Sequence, residues 1–481
     1  MKGAIALWVS AITLIGAAVR IAGLNRGLWW DEIYMLVVSI RRPLSQIVTI
    51  FPGDNQHPLY SVLARLSFVA FGEHVWTLRL PALLFGVAAI PALYLLTSTV
   101  APRTEALAAS AFLAVSYHHV WFSQNARGYS GLALFAIFTT YFLLRGYQTN
   151  RRGFYIAYSV AAALGVYTHL TMVFPVAAQV AVMGALAFAD WRTGAEMKRW
   201  KFPLHALGLA IMLVLLFYAP ILAQMRHFFQ RKSVLQSAST PSWAMGELLR
   251  GLALGFGTWA ALTGAAIFAL YGAWSYWRQS KVVFSLLVLP AFFMGAGTLL
   301  AGRTMYPRFY FPLIGFGVMI LMRGLFAVPA FLNERARGKR TANALCAITN
   351  SLTAVLVAGL LAASSATLVR NYRYPKQDFE GAMHFLEAQT KPGEKVLTAG
   401  GAIYPYHDYF LKPWQSVLTL EELQNVCLQG KPVWMVYSFP RYIRAAAPGL
   451  MKMIQERFTT VRVFPGTIGD GDVVVARYPK G

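Results

Sequence analysis

The chain has 481 residues, 57% hydrophobic and only 13% charged, with 43 Lys+Arg against 19 Asp+Glu and a formal net charge of +24. A soluble globular protein carries about 25% charged residues, so that class is excluded. Apolar runs of roughly 20 residues recur along the sequence, which indicates a polytopic helical membrane protein rather than a barrel of alternating strands.

The basic excess reads as membrane topology and contact with anionic lipid rather than nucleic-acid binding, because no soluble basic domain stands out. Of the two cysteines, Cys346 falls in a predicted membrane helix and Cys427 in the tail. They suggest neither a disulfide framework nor a Cys-based zinc site.

The first helix is expected from about Ile5 to Leu24, retained rather than cleaved, with the N-terminus inside. The loop 25–79 follows. It holds Asp31, Glu32, Asp54, His57 and Glu73 and is too polar to span. Its apolar pieces near 33–40 and 59–71 suit helices lying in the interface plane. Further spans are expected at about 80–99, 105–121, 130–147, 154–168, 171–189, 204–223, 249–273, 282–300, 311–331 and 343–368, about eleven in all.

Basic residues orient these spans. Arg103, Arg151, Arg152, Arg192, Lys198, Arg199, Lys201, Arg278, Lys281, Arg335, Arg337, Lys339 and Arg340 fall in alternate turns, which are assigned to the cytoplasm. The loop 25–79 and the turns at 123–129, 169 and 303–308 then lie outside. So does the tail: residues 1–370 form the membrane domain and 371–481 a small extracytoplasmic α/β domain. There a helix is expected over 379–389 and short strands at 396–398, 433–437 and 473–476.

Chemistry gathers on the outer side. On a helix, neighbours diverge by about 100°, so only one of Asp31 and Glu32 can face a given point. One reading makes Asp31 the N-cap of a helix starting at Glu32. The other makes one carboxylate a general base and the second its structural partner. His57 precedes Pro58, which suits a first helical turn.

Arg127 and the pair Arg303 and Arg308 carry planar donor forks suited to phosphate. Snorkelling to headgroups is the alternative. His169 stands in another outer turn. His118 and His119 diverge as helix neighbours and make a poor metal pair. Gly251, Gly255 and Gly257 lie in an apolar span and read as helix-packing positions, not a dinucleotide fingerprint. An acid, histidines and arginines at one membrane face describe transfer of a group carried on a lipid phosphate.

These residues also form an ordered set of motifs: Leu28-Trp29-Trp30-Asp31-Glu32, His57-Pro58-Leu59-Tyr60, Leu78-Arg79-Leu80-Pro81, Ser123-Gln124-Asn125-Ala126-Arg127-Gly128-Tyr129, Tyr167-Thr168-His169 and Pro307-Arg308-Phe309-Tyr310. The set resembles the GT-C glycosyltransferases of the protein O-mannosyltransferase and lipid A aminoarabinose transferase superfamily. Tyr374-Pro375-Lys376-Gln377-Asp378-Phe379 more loosely resembles the start of a C-terminal periplasmic domain.

The resemblance implies an inverting transferase in the cytoplasmic membrane, facing the periplasm or exterior. Its donor would be a polyprenyl-phosphate-linked sugar, and its acceptor a glycolipid, polysaccharide or protein. Asp31 would be the base, Glu32 its partner, and Arg127, Arg308 and Arg303 the donor-phosphate ligands. His57, Tyr60, Gln124, Tyr129 and His169 would line the site. Many relatives have Glu where this chain has Asn125, which removes a second acid there. A divalent metal is therefore not supported by the sequence. The rival readings are a lipid or glycolipid flippase, which should show internal repeats and charges near the midplane, and an assembly protein using its tail.

Overall fold

The computed structural model describes residues 2–53, 55–230, 240–302, 306–336 and 342–478. Asp54, Arg303, Arg337, Lys339 and Arg340 lie outside the described residues. The chain is a helical membrane body followed by a small α/β domain, as expected.

Eight of the described helices are long and apolar enough to cross a membrane, and a bent pair brings this to nine. The first, Lys2–Ile21, leaves Leu7, Trp8 and Leu14 exposed toward the space lipid would fill. Two of the expected spans fall short of that length. The run 105–121 breaks at Ser116, whose extended backbone separates Arg103–Val115 from Tyr117–Ser123. Arg152–Thr168 has only 17 residues.

The run 249–273 is the bent pair. Pro241–Phe256 meets Trp259–Gln279 at 98°. Gly257 sits at the bend with φ +81, and the Thr258 hydroxyl caps the second helix by accepting from Ala261 N at 3.1 Å. Gly257 is thus a hinge of the backbone rather than a packing notch. His118 Nε2 lies 2.8 Å from the Gly251 carbonyl and ties the shorter helix to the body.

The first loop folds as interfacial pieces. Trp30–Met35 runs into a wider turn over Leu36–Ile40, and Leu44–Thr49 and Pro58–Phe71 follow. Pro58 occupies the first helical position, with His57 as N-cap. Tyr60, Ser61 and Ala64 face inward while Leu66, Val69 and Phe71 stay exposed, the division expected of a helix at a lipid surface.

The last helix ends at Arg373 and leads into Phe379–Gln389, capped by the Asp378 carboxylate at 2.9 Å from Gly381 N. The sheet has the order β2-β1-β3-β5-β4, with β1 Lys395–Gly400, β2 Gln415–Ser416, β3 Val433–Ser438, β4 Thr459–Phe464 and β5 Val473–Tyr478. β1 is parallel to β2 and β3, whereas β5 is antiparallel to β3 and β4. The α/β domain sits on the first loop: Trp30 stacks on Tyr34 at 5.2 Å, with Tyr404 and Phe439 edge-on at 6.3 and 5.9 Å.

Candidate active site

The site is built from the start of the Trp30–Met35 helix. Trp29 is its N-cap, and Glu32 reaches back to accept from Trp29 N at 3.3 Å. Asp31 is therefore not the cap. It lies inside the first turn, and the two carboxylates point to different partners.

Glu32 faces inward. Arg79 grips it through Nε at 2.8 Å and Nη2 at 2.6 Å, and Ala126 N donates at 2.6 Å. Lys376 Nζ lies 3.9 Å away. Burial alone pushes this carboxyl up, but Arg79, Lys376 and the Ala126 N–H overcome it and hold Glu32 below the usual carboxylate range. Arg79 also donates to the carbonyls of Leu24, Arg26 and Gly27, which welds the end of the first span to this carboxylate.

Asp31 faces the other way. Its Oδ2 accepts from Arg308 Nη1 at 2.8 Å and lies 3.9 Å from Arg127 Nη2. Arg127 is fully buried. Its Nη2 donates to the Asn55 carbonyl at 2.9 Å and to the Asn55 side chain, while Nε and Nη1 find no partner among the described residues. A buried guanidinium with two open donors is poised for an anion.

His57 packs between Tyr129 at 4.9 Å and His169 at 4.7 Å. Burial, reinforced by Arg127, His169 and Arg308, drives its pKa well below 6.5 against the opposing pull of the Thr168 backbone. His169 Nδ1 lies 2.9 Å from Thr171 Oγ1. The Tyr129 hydroxyl is buried without a partner among the described residues.

A cavity of about 1930 Å³ opens at this cluster. It exceeds the roughly 300–1,000 Å³ of a drug-sized pocket. Asp31, Tyr129, His169 and Arg308 line its polar end, together with Asn55 and Gln56. Leu252, Phe256, Leu262, Ala265 and Leu321 carry its wall along the helices, and Tyr404, Phe439 and Arg441 roof it from the α/β domain.

The remaining expected site residues do not line this cavity. Arg127 and His57 stand directly behind the wall. The buried Tyr60 hydroxyl donates to the Leu78 carbonyl. The Gln124 amide donates to Arg20 O at 2.9 Å and accepts from Asn371 Nδ2 at 2.7 Å. Arg303 lies outside the described residues. Asn125 Oδ1 accepts from Trp29 Nε1 at 2.9 Å, so this amide holds the tryptophan two residues before Asp31. Among the described residues no group of three His, Cys, Asp or Glu is placed to hold a metal ion.

Sequence reasoning assigned no role to Arg79, Asn55 or Lys376. Arg79 carried a signal, being the one cation in an otherwise apolar helix. Lys376 stood in a loosely resembling motif, but its partners Glu32, Trp121 and Gln124 lie hundreds of residues away in sequence, so its contacts could not be read there.

Residues 55–221 match the family model described as dolichyl-phosphate-mannose-protein mannosyltransferase. No curated protein matches the chain. Among solved structures, the fold is similar to apo ArnT from Cupriavidus metallidurans, at TM-score 0.55 and 13% identity over 99% of this chain and 98% of that one. The same protein bound to undecaprenyl phosphate gives 0.51 at 13% identity, again over 99% and 98%. AglB from Archaeoglobus fulgidus, in complex with an inhibitory peptide and a dolichol-phosphate, gives 0.55 at 14% identity over 98% of this chain and 74% of that one. These likenesses show the GT-C membrane fold.

Proposed function

We propose that this GT-C-fold chain is an inverting glycosyltransferase, which takes a sugar from a polyprenyl-phosphate donor on the outer face of the cytoplasmic membrane. One observation carries the reading. Asp31 stands on the wall of a large cavity, bonded to Arg308 with Arg127 behind it, where an apolar wall descends along the spanning helices. A carboxylate beside guanidinium groups at the polar end of a lipid-depth cavity suits a sugar joined to a lipid phosphate. The undecaprenyl phosphate on ArnT and the dolichol-phosphate on AglB support that donor class.

The chemistry is a single displacement. The acceptor O–H or N–H approaches the anomeric carbon, and Asp31 takes its proton as the new bond forms. The bond from the anomeric carbon to the phosphate oxygen breaks, and the lipid phosphate departs with the electron pair. Arg308 meets the charge that develops there, with Arg127 adding from behind. Such preorganised donors in a water-poor site stabilise a transition state by several kcal/mol. The acceptor is a glycolipid, a polysaccharide or a protein reaching the cavity beneath the α/β domain.

The test is transfer by Asp31→Asn. The variant should insert and fold as the wild type does yet make no product. The readout is mass spectrometry of envelope glycans from a deletion strain carrying either version. Retained product removes Asp31 as the base. Movement of labelled lipid without any glycosylated product favours a flippase instead.

A further inference from the structure

The segment that joins the last spanning helix to the α/β domain does not run free. It passes behind the site and is bonded to both turns that form its back wall. Asn371 Nδ2 donates to Gln124 Oε1 at 2.7 Å, and Arg26 Nη1 donates to the carbonyls of Asn371 and Tyr374 at 3.1 and 3.2 Å. Gln377 Oε1 accepts from Trp30 N at 2.9 Å, and its Nε2 donates to Gly471 O at 3.0 Å, so one amide joins the acidic turn to the α/β domain.

Lys376 is the centre of this strap. Its side chain is nearly buried, yet it belongs to the residue class that is almost never buried without a partner. The amine donates to the Gln124 carbonyl, lies 4.9 Å from the Trp121 ring centre and 3.9 Å from Glu32 Oε1. Glu32 Oε1 thus meets Arg79 Nε from the Val75–Thr97 helix and, at longer range, the strap's Lys376 amine, whose pKa burial lowers to about 7 against the pull of Glu32. Asp31 is its immediate neighbour in one short helical turn. Any rotation of that turn that loosens Glu32 also swings Asp31 away from Arg308.

We propose that Lys376 is a positioning residue for the transfer reaction, fixing Glu32 and, through the turn they share, the carboxylate of Asp31. The inference rests on the transferase reading. It gives the strap a task beyond tethering: the α/β domain sets the geometry of the base. An arginine retains a basic group and satisfies part of the same set, whereas a methionine fills the volume and leaves Glu32 to Arg79 and the backbone donors of Ala126 and Trp29.

The experiment uses the full chain with Lys376→Met, Lys376→Arg, Arg308→Ala and Asp31→Asn. Two readouts are taken: envelope glycan product in a deletion strain, and binding of undecaprenyl phosphate by the purified protein. Lys376→Met should lower product at least about ten-fold while its affinity for undecaprenyl phosphate stays within about two-fold, the split expected of misplaced chemistry rather than lost binding. Lys376→Arg should recover much of the product.

Three results overturn the assignment. They are wild-type product from Lys376→Met, loss of product and lipid binding together with loss of folded protein, and a Lys376→Arg variant no better than Lys376→Met. The transferase reading fails separately, if Asp31→Asn retains product. Arg308→Ala serves as the control whose lipid affinity should fall.

Discussion

The two adjacent acids divide labour through the angle between helix neighbours. Glu32 is sunk among Arg79, Ala126 N and the Lys376 amine, and Asp31 looks onto the cavity beside Arg308. Glu32→Gln should therefore act on the fold. It strips a buried guanidinium of its carboxylate and should cost about 3–5 kcal/mol, read as a lower thermal midpoint in detergent. Arg308→Ala should act on the donor, weakening undecaprenyl phosphate binding about ten-fold or more with little change in that midpoint. His57 gives a pH signature. Its folded pKa lies well below 6.5, so the unfolded chain takes up the proton first as pH falls. The stability it contributes is present above about 6.5 and drains away below that value, and His57→Asn should flatten the acid side of a stability-versus-pH curve.

At the scale of elements, most of the framework was legible in the sequence, because apolar length and Pro or Gly punctuation act locally. Phe379–Gln389 begins and ends where periodicity puts it, and the structure adds the Asp378 cap. Pro58 opens its helix as Pro commonly does at that position. The misreadings have local causes too. The run 105–121 has the composition of one span, but the extended backbone at Ser116 cuts it in two. β4 escaped notice although Thr460-Val461-Arg462-Val463 alternates polar and apolar: it is an edge strand of six residues, five of them exposed, and too short to stand out. The Asp31–Glu32 pair, Arg127 and Arg308 were readable as chemistry. The partners that hold them, Asn55, Arg79 and Lys376, depend on how distant segments meet. The sharp turn at Gly257 allows a direct check. Gly257→Ala should cost about 1–2 kcal/mol at φ +81 and lower the thermal midpoint accordingly.

Across the whole molecule, helical body and α/β domain share one cavity and one strap. The loop after β4 closes over that strap: Thr467 N donates to the carbonyls of Pro375 and Lys376 at 3.1 Å, and a Cβ on Gly466 would come within 2.2 Å of the Lys376 carbonyl oxygen. Gly466→Ala should wedge the loop away, which limited proteolysis would register as faster cleavage near residue 375, with a matching fall in glycan product. The bond between Asp31 and Arg308 joins the first loop to the turn before the Ile314–Ala336 helix. In a transferase with this wiring, the guanidinium that greets the phosphate also occupies the base while the site is idle. The bond thus yokes, before any substrate arrives, the side chain proposed for the acceptor to the one proposed for the donor, across two segments 277 residues apart in sequence.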